Sequence, residues 1–487
     1  MKKTVIIIGS GFSSLSAASY LAKEGYNVTI LEKNEDLGGR ARLLSKEGFK
    51  FDMGPTWYWM PDIFEKFFSD FEKKPSDFYQ LKKLGPAYQV YFDKLNSITI
   101  PDNLEEIYTI FEKEEQGSSV FLRKFLKAAK FNYEVAINDL VYKPGESITE
   151  LITFTTLLKV NQFFKSISSD IRKNIKSKKL IQILEFPVLF LGAKPSNTPS
   201  FYNFMNYADF GLGTWHPKGG MFEVVKGFVE LAQSLNVKIR ANQNVEKIIV
   251  EDGKVIGVKV NNEILEADIV ISGADYHHTE TLLDKKYRMY SEKYWSKKIF
   301  APSSLLFYVG FNKKIKNVCH HTLFFDTDFD KHAVDIYDTP KWPKEPLFYA
   351  SFPSVTDSSF APFGYEAATF LIPLAPGLVD IPEVREEYFL KIIARLEKLT
   401  NQNLSDSIIF KESFCVNDFK KDYNSYKGNA YGLANTLMQT AVLRPKIRSK
   451  KVKNLFFTGQ LTVPGPGVPP AIISGKIVSE LVIKKSI

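Results

Sequence analysis

Hydrophobic residues recur along this chain in two rhythms, and the rhythms predict its elements. Val5-Ile6-Ile7-Ile8 is an unbroken β-branched run, suited to a strand buried on both faces of a parallel sheet. Leu15, Ala18, Tyr20, Leu21 and Ala22 then return at helical spacing up to Gly25, and Val28-Thr29-Ile30-Leu31 forms a second strand. Together these make a βαβ unit. Gly48 to Trp59 alternates as a strand and turns at Gly54-Pro55. From Asp62 to about Gly213 the pattern is mostly helical, with short strands near Tyr88–Phe92 and Ser97–Ile100. Within it, Val120–Val141 predicts an amphipathic helix. Leu180–Ala193, interrupted by Glu185 and Pro187, predicts a buried helix that can also wall a hydrocarbon or dip into a lipid interface.

Gly211 to Met221 reads as a loop entering a helix near Phe222. Val237–Arg240, Val245–Val250, Val255–Val260 and Ile269–Ser272 form a strand set with turns at Asp252-Gly253 and Asn261-Asn262. Ser303–Phe311, Thr322–Thr327, Leu347–Pro353 and Ala367–Leu374 supply a second sheet, and Val384–Leu399 a helix. The chain closes with a strand over Val452–Phe457, a Gly/Pro-rich segment and a last helix.

The first βαβ unit carries chemistry. Gly9 permits a tight turn after the strand, and Gly11 lets backbone approach a pyrophosphate at the helix N-terminus. Glu32 ends the second strand about 20 residues further on, where a carboxylate accepts the hydroxyls of an adenosine ribose. Ser14 stands where the pattern has a third glycine and is small enough for close helix–strand packing. Leu37-Gly38-Gly39-Arg40-Ala41-Arg42 adds backbone donors and a guanidinium, a second phosphate grip that a nicotinamide site does not need. The Gly/Pro run before the last helix places further backbone donors toward a ligand.

The sequence G-S-G-x-S-S (Gly9, Gly11, Ser13, Ser14), E-K-N (Glu32, Lys33) and L-G-G-R-A (Gly38, Gly39, Arg40) resembles the FAD flavoproteins that include amine oxidases and carotenoid desaturases. Adding D-x-G-P-T (Asp52, Gly54, Pro55, Thr56), the loop ahead of Met221, and Pro464-Gly465-Pro466-Gly467-Val468-Pro469 with Ser474-Gly475-Lys476, it resembles the bacterial-type phytoene desaturases of the carotenoid/retinoid oxidoreductase family. The likeness spans residues 4–483. Gln460-Leu461-Thr462-Val463 departs from the family's usual G-T-H-P-G-A-G there.

The resemblance implies an α/β fold with a Rossmann-type, glutathione-reductase-like FAD-binding domain and an inserted α+β substrate domain, as in amine oxidases. The FAD-binding part is expected over 1–75, 214–290 and 445–487, and the substrate and membrane-associating part over 76–213 and 291–444. It places Gly54, Pro55 and Thr56 beside the flavin ring, the backbone at Val245 at the adenine, the stretch ending at Ala274 near the phosphates, and Gly459, Gly467, Val468 and Pro469 over the flavin.

Composition narrows the rest. With 487 residues, 44% hydrophobic and 24% charged, the chain is globular with two or three intertwined domains. Its 64 Lys and Arg against 55 Asp and Glu give +9, in short clusters that suit a solvated basic surface or anionic lipid. No nucleic-acid motif is present. Cys319 and Cys415 have no metal spacing and are expected to stay reduced in a cytosolic enzyme. The pairs His277-His278 and His320-His321 are read as non-metal, because adjacent histidines point apart. His216 reads as a hydrogen-bonded loop residue. The run after Met1-Lys2-Lys3 is too short for a signal peptide, and no stretch spans a bilayer, so a cytoplasmic protein peripheral on the membrane is expected.

The family likeness implies desaturation of phytoene toward lycopene or a related polyene, with oxygen or a quinone reoxidising the flavin. Substrate affinity would come from apolar burial, at about 25 cal/mol per Å². The sequence does not identify the proton acceptor: Asp52, Asp139 and Asp209 are candidates, water or a second substrate group would also serve, and Asp52 also reads as a strand-end hydrogen-bond acceptor. Alternatives are a later-step desaturase, isomerase or saturase on the same scaffold, an amine oxidase, or a non-catalytic prenyl-binding escort.

Overall fold

The computed structural model describes residues 3–94, 96–151 and 160–486. The parallel sheet at its centre has the strand order Leu455–Phe457, Ile269–Ser272, Thr4–Ile8, Asn27–Leu31, Lys238–Arg240. Ile7, Ile30 and Ile271 are fully buried, which explains why these strands carry apolar residues on both faces. The helix Phe12–Lys23 crosses between the first two strands. The closing helix Val468–Ser486 packs along it, so the two ends of the polypeptide meet over one sheet. Gly475 permits this approach: a Cβ there would fall 2.4 Å from the Ser13 carbonyl oxygen.

An antiparallel meander of Val245–Glu251, Lys254–Val260 and Glu263–Glu266 branches from the sheet. The sequence reading grouped two of these strands with Val237–Arg240 and Ile269–Ser272. The structure divides them between two sheets and adds Glu263–Glu266, a short and largely exposed strand.

The second large sheet has seven strands in the order Ile408–Phe414, Ser303–Phe311, Glu366–Leu374, Phe348–Ser351, His321–Phe324, Tyr88–Asp93, Asn96–Ile100. Strands from the two expected substrate segments thus hydrogen-bond directly, through the parallel pair Tyr88–Asp93 and His321–Phe324. The helix Pro382–Thr400 packs on one face, burying Ile392, Leu396 and Leu399 against Leu305, Phe370 and Phe352.

Helices of the 62–213 stretch cover the other side; residues 152–159 of that expectation lie outside the described residues. The helix Ser118–Val135 continues as a wider turn over Ala136–Leu140. In the apolar block, the α-helix stops at Glu185 and a tighter 3-10 turn runs over Phe186–Leu191, since Pro187 has no N–H to donate. Leu180, Ile183, Leu184, Phe186 and Val188 are buried in the protein, so these side chains form core and not a lipid-facing surface. Glu185 is buried too, and Arg172 donates to both of its oxygens at 2.8 Å while also binding Asp330. The expected loop at 211–221 contains a strand, Trp215–Pro217, paired with Leu81–Lys83. No described helix is long and apolar enough to cross a membrane.

Candidate functional site

One cavity of about 470 Å³ runs from the glycine turns of the parallel sheet to the seven-stranded sheet. Gly9, Gly11, Ser13, Glu32, Lys33, Gly38, Gly39, Arg40, Gly54, Pro55, Thr56, Val245, Gly459, Gly467, Val468 and Pro469 all line it. Ser14 does not. Its hydroxyl is buried without a partner against Gly273, where a Cβ would come within 2.1 Å, so Ser14 seats the first helix on the strand end behind the wall.

The turn geometry follows from the backbone. Gly9 has φ +89° and donates to Leu31 at 2.8 Å, locking the first turn to the second strand. Gly11 caps the first helix, and a Cβ on it would meet nothing within 4 Å. That open volume at a helix N-terminus is where a pyrophosphate fits. Gly39 lies against Gly11, its Cβ position 3.4 Å from the Gly11 Cα, so both glycines face the same space. Glu32 is buried and accepts from Ser10 N at 2.9 Å, Ser10 Oγ at 2.8 Å and Asn34 N at 2.9 Å. Its carboxylate therefore shapes the glycine turn as well as facing the cavity. Lys33 donates to the Lys421 carbonyl at 2.6 Å, and partial burial lowers its pKa.

Arg40 brings a guanidinium to the site, which Lys33 also lines. Its guanidinium lies 5.1 Å from the Tyr423 ring and reaches Ser425 Oγ at 3.3 Å and the Asn429 carbonyl at 3.4 Å. Its Nε is buried with no partner. Burial lowers the Arg40 pKa, and nearby Asp275 opposes that. An unpaired guanidinium donor beside two glycine turns matches the donor set an FAD phosphate needs. Gly54 is required for a separate reason: a Cβ there would fall 2.2 Å from the Arg40 carbonyl oxygen. Asp275, Tyr423 and His278 were not found by sequence reasoning. Asp275 has a signal, directly after the strand Ile269–Ser272; Tyr423 and His278 have none.

The far end is apolar. Trp57, Trp59, Phe186, Leu189, Met205 and Leu323 are among its walls. Trp57 stacks on His321 at 4.0 Å and lies 5.6 Å from Tyr88 and Tyr349.

The three carboxylates expected as proton acceptors do not line the cavity. Asp52 instead accepts from Met221 N at 3.0 Å and Phe222 N at 3.3 Å, capping the helix Met221–Ser234. Burial pushes its pKa up to about 6 against those backbone bonds. Asp209 is buried behind the aromatic wall, accepts from Tyr88 at 2.8 Å, and is pushed up to about 8 by burial. Asp139 is half-buried on the wide turn Ala136–Leu140. His216 is buried and paired with Asp357 at 3.1 Å. The rings of His320 and His321 do not point apart; they meet edge to face at 4.5 Å, each bonded to a different partner. Among the described residues no three His, Cys, Asp or Glu side chains gather as a metal site, and both cysteines are free.

A parallel sheet with two glycine turns and a buried acid at the end of its second strand, joined to a second, seven-stranded sheet, is an architecture that flavoprotein oxidoreductases share. The family model described as flavin containing amine oxidoreductase matches residues 12–483, and the chain belongs to that family as an FAD-dependent oxidoreductase. Within it the chain groups with the carotenoid desaturases. It is 40% identical over 484 residues to the carotenoid 3,4-desaturase of Haloarcula japonica, covering 99% of this chain and 98% of that protein. It is 31% identical to the 4,4'-diapophytoene desaturase (4,4'-diaponeurosporene-forming) of Staphylococcus haemolyticus, over 99% and 98% of the two chains. It is 29% identical to the zeta-carotene-forming phytoene desaturase of Myxococcus xanthus, over 98% and 93%. Among solved structures, an oxidoreductase from Methanosarcina mazei shares the fold with TM-score 0.63 and 16% identity, over 98% of this chain and 100% of that one. A Rab GDI from Plasmodium falciparum shares it with TM-score 0.59 and 13% identity, over 99% and 98%.

Proposed function

We propose that this enzyme desaturates an extended isoprenoid polyene of the carotenoid class, removing one hydrogen from each of two adjacent carbons. The observation that carries the reading is the single continuous cavity, polar and glycine-lined at one end and aromatic at the other. Gly11, Gly39 and Arg40 would hold the FAD phosphates and Glu32 the ribose. The backbone at Val245 would meet the adenine, with Gly54 to Thr56 and Gly459 to Pro469 around the ring system. FAD supplies the hydride acceptor. The chain's own contribution is to align a hydrocarbon with no charged handle, which the apolar wall binds by burial at about 25 cal/mol per Å². It also excludes water from the reacting carbons.

Phytoene, converted toward lycopene, is one substrate. The 40% relative, whose name specifies the 3,4 position, favours a later polyene as the second. So insoluble a substrate is best delivered from a membrane surface, with oxygen or a quinone as the final acceptor. Incubating the FAD-loaded protein with phytoene or lycopene in liposomes and reading the absorption spectrum separates the two. A long-wavelength shift with one substrate identifies it. A folded protein that takes up no flavin, or shifts neither spectrum, would overturn the reading. The escort alternative predicts such a colourless protein, and the intact Arg40 and Glu32 arrangement argues against it.

A further inference from the structure

The desaturation leaves one proton without an acceptor, because Asp52, Asp139 and Asp209 lie outside the cavity. The acids that do line it, including Glu32, Asp275 and Asp422, stand at the glycine-turn end. His332 lines the apolar end, but both its nitrogens are engaged: Nε2 with the Pro373 carbonyl at 2.9 Å, and Nδ1 accepting from Leu347 N at 3.0 Å.

Tyr349 differs. It lines the cavity beside Thr56, whose Oγ1 lies 2.9 Å from the Tyr349 hydroxyl. On its far side that hydroxyl is 2.6 Å from His321 Nδ1. His321 is fully buried, and its Nε2 has no hydrogen-bond partner. Its ring lies flat on Trp57, 4.0 Å away and inclined by 11°. The titratable groups around the pair are His216, His320 and, on the Tyr349 side, Asp52 and Tyr431. The structure shows a phenol at the cavity wall with an imidazole behind it and an aromatic face beneath that imidazole.

We infer that Tyr349 accepts the proton lost in the desaturation and that His321 is the positioning residue that takes Tyr349's own proton. The inference rests on the proposed polyene desaturation. FAD, when bound, would supply the acceptor for the hydrogen that one carbon gives up with its bonding pair, and the proton loss accompanies that departure. The neighbouring C–H bond breaks, its electrons form the new double bond, and its proton goes to the Tyr349 oxygen. Tyr349's O–H bond breaks as His321 gains an Nδ1–H bond. The imidazolium so formed lies on the Trp57 face, and its proton returns to water with product release. Burial, with His216 nearby, holds the His321 pKa well below the usual range, so it starts neutral. A weak base suffices, because a carbon next to a developing allylic cation is strongly acidic.

The test compares Tyr349→Phe, His321→Gln and the double variant. Anaerobic single-turnover flavin reduction should slow about 100-fold in each, the scale of general acid–base catalysis. FAD affinity and KM should stay unchanged, and the double variant should be no slower than either single one. Independently of turnover, the short phenol–imidazole bond should give a downfield proton resonance in the parent protein that either substitution removes. Wild-type flavin reduction in Tyr349→Phe, multiplicative effects in the double variant, or absence of the resonance in the parent would overturn the relay. A parent protein that shows the resonance yet desaturates no polyene would instead overturn the substrate reading.

Discussion

Replacing Gly475 by alanine tests whether the two ends of the chain are clasped as tightly as the cavity requires. A Cβ at Gly475 would lie 2.4 Å from the Ser13 carbonyl oxygen and 2.6 Å from Ser16 Cβ. Carbon contacts relax at about 3.5–4.0 Å, so the first and last helices would have to part by roughly 1 Å. Both obstacles are tied to backbone, and on the same seam Ser16 Oγ donates to the Ile472 carbonyl at 2.8 Å. By helix propensity alone, alanine would stabilise by about 0.8–1.0 kcal/mol relative to glycine. Overpacking costs about 1–3 kcal/mol, so the steric effect wins and a net loss of about 1 kcal/mol is expected. Because Ser13 lines the cavity from the first turn of its helix, the same displacement moves the backbone donors facing the phosphates. FAD affinity should then fall about tenfold, equivalent to ~1.4 kcal/mol. Urea denaturation of the flavin-free protein and titration with FAD by flavin fluorescence measure the two effects separately. A variant at least as stable as its parent, with unchanged FAD affinity, would refute the close packing of the termini.

Glu32→Gln keeps the shape but loses the charge that gathers Ser10 and Asn34, and charged hydrogen bonds are worth about 1.5–3 kcal/mol. FAD should therefore bind about 10–100-fold more weakly by fluorescence titration; unchanged binding would remove Glu32 from the site. Asp209→Asn changes the pH dependence of stability. The folded-state pKa of Asp209 is raised to about 8, so its favourable contribution is complete below the unfolded value and is lost as pH rises through 8. The parent's melting temperature should fall more steeply than the variant's between pH 5 and pH 9, with at most roughly 6 kcal/mol at stake. Parallel melting curves would show that Asp209 does not titrate in the fold.

The parallel sheet was legible because its central strands Thr4–Ile8 and Ile269–Ser272 are buried and therefore written as apolar runs, and because Gly9 takes a positive φ that favours glycine. Ser14 was expected both to pack the helix and to stand among the cofactor-binding residues; it packs against Gly273, far away in sequence, and does not line the cavity. Short or exposed elements escaped. Glu263–Glu266 has too little alternation to stand out, and Trp215–Pro217 is a strand only because Leu81–Lys83 lies beside it. The helix Phe329–Tyr337 was missed as well. That the carboxylate candidates stand outside the cavity was not written in the local sequence. Residue type and local motif show that Asp52 and Asp209 can be buried, whereas what each faces is set by Met221 and Tyr88 from other elements. The Thr56–Tyr349–His321 chain joins a glycine-proline turn to two strands of the other sheet, and no local spacing records it.

The closing segment raises a final physical question, since it walls the cavity with a run rich in residues that form few backbone bonds. Pro464 and Pro466 have no N–H, so the stretch ahead of the helix Val468–Ser486 forms few backbone bonds of its own. Arg444 ties down the start of that stretch. Its buried guanidinium donates to the carbonyls of Thr462 at 2.8 Å and Gln460 at 2.7 Å, and to Asn435 Oδ1 at 2.6 Å. Further bonds reach the Gln439 and Leu433 carbonyls, each at 3.3 Å. None of these partners is a carboxylate. Burial pushes the Arg444 pKa down to about 10, which still leaves it charged at neutral pH. A buried cation without a counter-ion is costly, and a hydrophobic side chain would avoid that cost. Only a planar fork of five donors, however, can tie the 433–439 turn to the 460–462 turn at one point. The cavity wall is thus positioned by a charge compensated entirely by carbonyl and amide dipoles.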